Sequence, residues 1–297
     1  MLGFPQRFPH HLGVGADAEH TAQPFQALRI FRPQAQLNAD VAALLRIVVV
    51  RSGRRYSASL GHTIGIKTHL VSALSDHACA RLKKERVRIT NLRKKQEPHA
   101  ITAALSTADD RAFVTYNGVN AQLEPRLMKI FSRRPNAEGW EHVHFCFYPH
   151  DCRYWADSVE RLRAKGITVS WDFGWNEPLS NDRGLIDLID ALDFVFINDA
   201  EARLYTGAAT LAESIPRWRE RKAITIIKLG QEGAVWLRPD RELFVAAPKV
   251  KVVDTTGAGD SFNAGFLAAW LRGKSPEQCL AAGNKIGAAS TLTAGGI

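Results

Sequence analysis

Residues 252–262 read VVDTTGAGDSF. Gly257 and Gly259 carry no Cβ, so the backbone can turn there and come close to a ligand. Behind them Phe262, Phe266, Leu267, Trp270 and Leu271 fall near helical spacing and Gly273 suits a C-terminal cap, which predicts a helix over 261–272. The amides of Gly257, Ala258 and Gly259 would then lie at a helix N-terminus. Unpaired N–H groups and the positive end of the helix dipole favour an anion such as phosphate at that place. Asp260 follows directly. A carboxylate repels phosphate, so its presence needs a purpose. Accepting a proton from an attacking hydroxyl group is one; capping a helix after a glycine turn is the plain structural alternative.

Two other groups of residues could do chemistry. Asn198 and Glu201 follow the short apolar run DFVFIN (193–198), and α/β proteins place ligand residues beyond strand ends. The same pair also fits an N-capped helix with Glu in its first turn. The second group is His142, His144, Cys146, His150 and Cys152, which invites a zinc reading. Alternation in HVHFCFY spreads the first three along one strand face, whereas a metal needs ligands converging on a point, so zinc is not expected. No G-x-x-x-x-G-K-[ST] string occurs, which argues against a P-loop kinase.

The elements that must position these residues are regular from residue 140 onward. Strands are expected at 142–148, 167–173, 193–198, 223–230, 233–238 and 242–248, with helices at 151–165, 182–192 and 211–222. Such alternation predicts a layered α/β fold with a mostly parallel sheet. Earlier, 67–74 reads as a strand and 76–86 as a helix. HAITAALS (99–106) and RAFVTYN (111–117) read as a hairpin outside the main sheet. Residues 1–60 hold seven Arg and no Lys, and only RIVVV (46–50) reads as a strand. Residues 1–64 are therefore set apart as an atypical segment, and 65–297 as the main domain.

The chain has 297 residues, long enough for a large core, and its apolar and charged fractions of 45% and 23% are ordinary for a globular protein. No apolar run of about 18 residues and no charged-then-apolar leader is present, so neither a membrane span nor a signal peptide is expected. Four cysteines are too sparse for a disulfide framework, which points to the cytoplasm. Residues 1–135 carry 21 Lys and Arg against 9 Asp and Glu. No aromatic-interleaved basic motif accompanies this excess, so a solvated basic face is expected rather than a nucleic-acid site.

DTTGAGDSFNAGF (254–266) resembles the C-terminal signature of the PfkB/ribokinase family of carbohydrate kinases. Further pieces follow in the family's order: INDAEA (197–202), IKLGQEGA (227–234) and AAGNKIGAAS (281–290), with GIKTHLVSAL (65–74) and TYNGVNAQL (115–123) before them. The resemblance implies a three-layer α/β/α ribokinase-like sandwich with a small β lid, for which 99–117 is the expected hairpin. It implies that Asp260 is the catalytic base and that the amides of Gly257, Ala258 and Gly259 stabilise the transferring phosphoryl group. It assigns ATP to Lys228, Gly230, Gly233, Thr256, Gly257 and Asn284, with Lys228 standing where the family commonly has Thr or Ser. It assigns magnesium to Glu201 and Asn198, through water, puts Asp172 near the phosphates, and allows potassium beside the 254–257 loop and a homodimer.

The departures lie upstream. The family opens with a strand carrying an Asn-x-Asp element, then lid strands and a Gly-Gly-x-x-x-Asn motif that grips the sugar; here only Asn38 and Asp40 match the first element, 27 residues before Gly65, and no Gly-Gly-x-x-x-Asn motif follows them. The expected function is therefore ATP-dependent phosphorylation of a hydroxyl group on a sugar or sugar-like acceptor. A non-catalytic, nucleotide-binding regulatory protein of the same fold is the alternative.

Overall fold

The computed structural model describes residues 47–51, 68–84, 87–106, 111–132 and 139–293. Asn38 and Asp40 lie outside the described residues.

Among the described residues nine strands form the main sheet: β1 (Ile47–Arg51), β2 (Thr68–Ser72), β3 (Arg88–Asn91), β6 (Trp140–Cys146), β7 (Thr168–Asp172), β8 (Phe194–Asn198), β9 (Ile224–Lys228), β10 (Gly233–Arg238) and β11 (Arg241–Ala246). Their order is β11-β10-β9-β8-β7-β6-β1-β2-β3. Strands β6 to β9 pair parallel, as do β2 and β3. Only β1 and β10 run against the rest, each antiparallel to both of its neighbours. The remaining strands, β4 (Ile101–Ser106) and β5 (Arg111–Tyr116), pair as a separate antiparallel two-stranded sheet, as the hairpin pattern predicts. The strand read at 46–50 forms as β1, in the interior of the main sheet between β6 and β2. A division at residue 64 therefore leaves out one strand of that sheet.

Alternation along the parallel strands sorts side chains onto two faces. Val143, Phe145, Val169, Trp171, Val195, Ile197 and Ile227 enter one core. That core is covered by α2 (Leu123–Ser132), α3 (Cys152–Arg163), α5 (Leu185–Ala191), α6 (Asp199–Thr206) and α7 (Leu211–Arg219), with the short α4 (Glu177–Ser180) beside them. Its centre is aromatic: Trp171 stacks on Phe145 and Phe173 with ring centroids 4.4 and 5.3 Å apart. The indole N–H groups of Trp171 and Trp155 find acceptors, on the Phe147 carbonyl at 2.7 Å and on Glu124 Oε1 at 2.8 Å, so the burial of these two leaves no donor unsatisfied.

Phe194, Phe196 and Ile226 enter the opposite core, against α8 (Ala258–Trp270) and α9 (Pro276–Ser290). These two helices touch closely because glycines line the contact. A Cβ on Gly265 would lie 2.7 Å from the Ala282 carbonyl oxygen, and one on Gly283 would lie 2.8 Å from the Phe262 ring. On the same face α1 (Asp76–Lys84) packs Ala78 against Leu70 and Leu74. Helices on both faces of one sheet make the expected three layers.

Candidate active site

The β6–β9 register brings a set of polar residues to one end of the sheet, on the face that α8 covers. His142 pairs with Thr168, His144 with Ser170 and Cys146 with Asp172, while Asn198 pairs with Lys228. Two residues per step keep Cys146, Asp172, Asn198 and Lys228 in phase with Phe194 and Phe196, and out of phase with the aromatic core. They stand at the C-terminal ends of parallel strands, where open α/β sheets bind ligands.

The histidines form a buried polar stripe. His142 Nδ1 lies 2.9 Å from Thr168 Oγ1 and its Nε2 lies 2.8 Å from Ser170 Oγ, which also lies 2.8 Å from His144 Nδ1. Thr168 donates its hydroxyl hydrogen to the Glu141 carbonyl, so it accepts from His142. Burial pushes both imidazoles down, His142 to about 3 and His144 to about 4, and both are neutral near pH 7. His150 goes elsewhere: its N–H and Nδ1 bond Glu124, whose carboxylate also accepts from Trp155 and ties α2 to the start of α3.

Helix α8 starts at Ala258, three residues earlier than its apolar spacing suggests, because Gly257 adopts φ +76° as the cap residue. Asp260 consequently sits inside the first turn. Asp254 Oδ1 shapes the preceding loop by accepting from the Thr256 N–H at 2.9 Å and from its hydroxyl at 2.8 Å. The Ala258 N–H is engaged within the turn, on the Thr255 carbonyl at 3.2 Å. Gly259 faces inward, and the space its missing Cβ leaves is 3.4 Å from Lys228 Nζ.

Lys228 is the hub beneath this turn. Its Nζ lies 2.6 Å from Asp172 Oδ2 and 3.4 Å from Asn263 Oδ1. Asn263 in turn donates Nδ2–H to Asp172 Oδ2 at 2.7 Å, closing a triangle. Asp260 completes the set, with the Cys146 thiol donating to its Oδ1 at 3.8 Å. Burial and then the Asp172 charge push the Asp260 carboxyl up to about 7, against the pull of Lys228 and Cys146. A carboxylate that titrates near neutrality suits a general base. Burial alone would neutralise Lys228, but the charges of Asp172, Glu201 and Asp260 outweigh it and hold the ammonium protonated. Burial also works against the Asp172 carboxylate, and the charge and hydrogen bonds from Lys228 and Asn263 overcome that.

Asn198 and Glu201 form a reciprocal capping box at the start of α6. Asn198 Oδ1 accepts from Glu201 N–H at 2.8 Å, and Glu201 Oε2 accepts from Asn198 N–H at 2.9 Å. The structural reading of this pair is thus present in full, and it fixes the carboxylate beside the pocket. Burial and then Asp172 raise the Glu201 carboxyl above its usual range, the situation a bound cation would reverse. Asn198 has spent its oxygen on the cap, so its remaining Nδ2 donor suits a phosphate oxygen or a metal-bound water rather than the metal itself.

The other sequence-derived residues surround this centre. Gly230, at φ +58°, and Gly233, at φ +133°, turn β9 into β10. A Cβ on Gly233 would meet the Val245 carbonyl oxygen at 2.1 Å, so strand pairing alone demands glycine there. Asn284 is buried on α9 and donates Nδ2–H to the Val245 carbonyl at 2.8 Å, pinning that helix to β11. Sequence reasoning missed Asn263, and it named Cys146 only in the zinc reading and not as a neighbour of Asp260. The even spacing along the strand ends could have picked out Cys146, and the i, i+3 step from Asp260 on one helix could have picked out Asn263.

A profile described as pfkB family carbohydrate kinase matches residues 55–297. An ATP-dependent ribose-1-phosphate kinase of Halopiger xanaduensis is 30% identical over 269 residues, 89% of this chain and 82% of that one. An uncharacterized sugar kinase of Archaeoglobus fulgidus is 52% identical over 65 residues, 22% of this chain and 26% of its own length. A nucleoside kinase of Methanocaldococcus jannaschii is 35% identical over 113 residues, so the chain spans only about a third of that relative, 36%. Among solved structures, a putative ribokinase II from E. coli superimposes with a TM-score of 0.65 at 19% identity, over 84% of this chain and 91% of the other. An adenosine kinase from Sinorhizobium meliloti does so with a TM-score of 0.64 at 21% identity, over 75% and 71%. These structural likenesses carry the fold, which is ribokinase-like. With the profile spanning most of its length, the chain belongs to the pfkB family of carbohydrate kinases.

Proposed function

We propose that this chain transfers the γ-phosphoryl group of ATP to a hydroxyl group of a sugar or sugar-like acceptor. The observation that carries the reading is Asp260, a carboxyl raised to about 7 in the first turn of α8, where amide hydrogens meet an incoming anion. Asp260 takes the proton of the acceptor hydroxyl as its oxygen attacks the γ-phosphorus. The bond from that phosphorus to the bridging oxygen breaks, and ADP leaves with the electron pair. The amides of Gly257 and Gly259, and of Ala258 once its turn bond to Thr255 opens, face the charge that develops on the transferred group.

ATP lies across the strand ends in this reading, with its phosphates toward Thr256–Gly259 and Lys228. Its adenosine lies toward Gly230, Gly233 and the α9 segment around Asn284. Glu201, held by its capping box, fits magnesium, and Asn198 would bond the water or phosphate around it. Magnesium supplies charge neutralisation between the β- and γ-phosphates when bound. Potassium, implied at the 254–257 loop, would find oxygen donors in Asp254 and the loop carbonyls. The β4–β5 hairpin is the lid over the acceptor. A cytoplasmic setting follows from the sparse cysteines, and a homodimer from the resemblance. Among the described residues no helix is long and apolar enough to cross a membrane.

The test is an ATP-consumption screen over pentoses, hexoses, sugar acids, nucleosides and sugar phosphates. The last class belongs there because the Halopiger relative is named for ribose 1-phosphate. One acceptor should stimulate ATP use in a saturable way, and Asp260→Asn should lower that turnover by about 10²–10⁴-fold. Nucleotide binding without turnover on any acceptor would favour the regulatory alternative.

A further inference from the structure

Lys228 and Asp172 form a buried ion pair, which a phosphate placed toward Lys228 does not by itself explain. Isolated buried pairs contribute little to stability, because desolvation offsets the attraction. Their position suggests another use. The pair is not closed on itself: Asn263, one turn along α8 from Asp260, bridges Asp172 at 2.7 Å and approaches Lys228 Nζ at 3.4 Å. The ammonium also lies 3.4 Å from where a Cβ of Gly259 would be, directly under the glycine turn.

We propose that Lys228 is a positioning residue: Asp172 and Asn263 hold its ammonium against the floor of the anion pocket, where it is a fixed counter-charge for Asp260. Asp172 then acts on Asp260 with the opposite sign from its own ion-pair partner. The groups facing Asp260 are Cys146 from β6, Asp172 from β7 and Lys228 from β9. Glu201 from α6 acts on Lys228, and His144 from β6 acts on Asp172. Within this set Lys228 is the cation that favours the ionised base, and Asp172 is the anion that opposes it.

The proposal rests on the kinase reading for its purpose, but its test does not require turnover. Protein labelled with ¹³C at the aspartate carboxyl carbon is titrated by NMR, and the Asp260 signal is assigned by its loss in Asp260→Asn. Lys228→Met should move the Asp260 midpoint to higher pH by about one to three units, the usual effect of one charge at close range. Asp172→Asn should move it to lower pH. The two substitutions break the same ion pair, so a merely structural role would loosen the site in both cases and move both midpoints the same way, toward that of a hydrated carboxylate. The double variant Lys228→Met with Asp172→Asn removes the pair together and protects against misfolding of the single Lys228 variant. Its midpoint should lie above that of Asp172→Asn. A Lys228→Met midpoint at or below wild type, or a double-variant midpoint at or below that of Asp172→Asn, overturns the proposal. In the acceptor screen, the acid limb of turnover should follow the same order. Absence of turnover on every acceptor would sink the kinase reading and leave the titration to decide the role of Lys228.

Discussion

Asp260→Asn should stabilise the protein at alkaline pH while abolishing most of its activity. Asp260 is half-buried, and burial with the neighbouring Asp172 charge raises its carboxyl from 3.8 to about 7. Below pH 3.8 the group is protonated in both folded and unfolded chains and takes nothing from stability. As pH rises toward 7 the unfolded chain ionises freely while the folded chain resists, so stability is lost across that window. About three units of difference correspond to ~4 kcal/mol. Asp260 is only partly buried, so water screens its charge, and roughly half of that, ~2 kcal/mol, is the working figure. Asparagine has the same size and never ionises. The assay is urea unfolding of wild type and variant at pH 4.5, 6 and 8. The variant's advantage should be about 1 kcal/mol at pH 4.5, where the unfolded carboxyl is already mostly ionised, and grow to ~2 kcal/mol or more at pH 8, a Tm rise of several degrees for a domain of this size. The neutral buried histidines pull the other way in both proteins: their stability is lost as pH falls from 6.5 toward 4, and this cancels in the comparison. A pH-independent difference between the two proteins would refute the assignment of Asp260 as a base poised near neutrality.

Three further outcomes are expected. Gly265→Ala should destabilise by about 1–3 kcal/mol, because its Cβ would lie 2.7 Å from the Ala282 backbone oxygen and neither helix can yield freely; a shift in urea midpoint reads this directly. Mg-ATP at a hundred times its dissociation constant should stabilise the protein by ~2.7 kcal/mol, and Glu201→Gln should remove the magnesium-dependent part of the thermal shift; an undiminished shift in that variant would take Glu201 out of the metal site. Glu124→Gln should cost about 1.5–3 kcal/mol, since an amide turns a donor toward the His150 and Trp155 N–H groups that the carboxylate now accepts; an unchanged Tm would show that this tie between α2 and α3 is dispensable.

What the sequence determined by itself was local. The Gly-Ala-Gly turn needs a positive φ at Gly257, and only the next few residues decide where a helix can start. The Asn198–Glu201 box closes across three residues and forms the helix cap that the sequence allowed. Strand alternation put His142, His144 and Cys146 on one strand face for the same reason, since a period of two is a property of the chain alone. The tertiary structure decided the charge environment. Asp172 and Lys228 are 56 residues apart, and Asp172 and Asn263 are 91 apart. They meet because β6 to β9 pair in one particular register, and a slip of one residue would turn Asp172 or Lys228 into the aromatic core on the opposite face. The place of β1 between β6 and β2 is likewise a matter of partner choice, which a five-residue apolar run does not encode. A motif can therefore propose a base from thirteen residues, while its raised proton affinity comes first from burial in the folded chain and then from an aspartate on one strand, against the pull of a lysine on another.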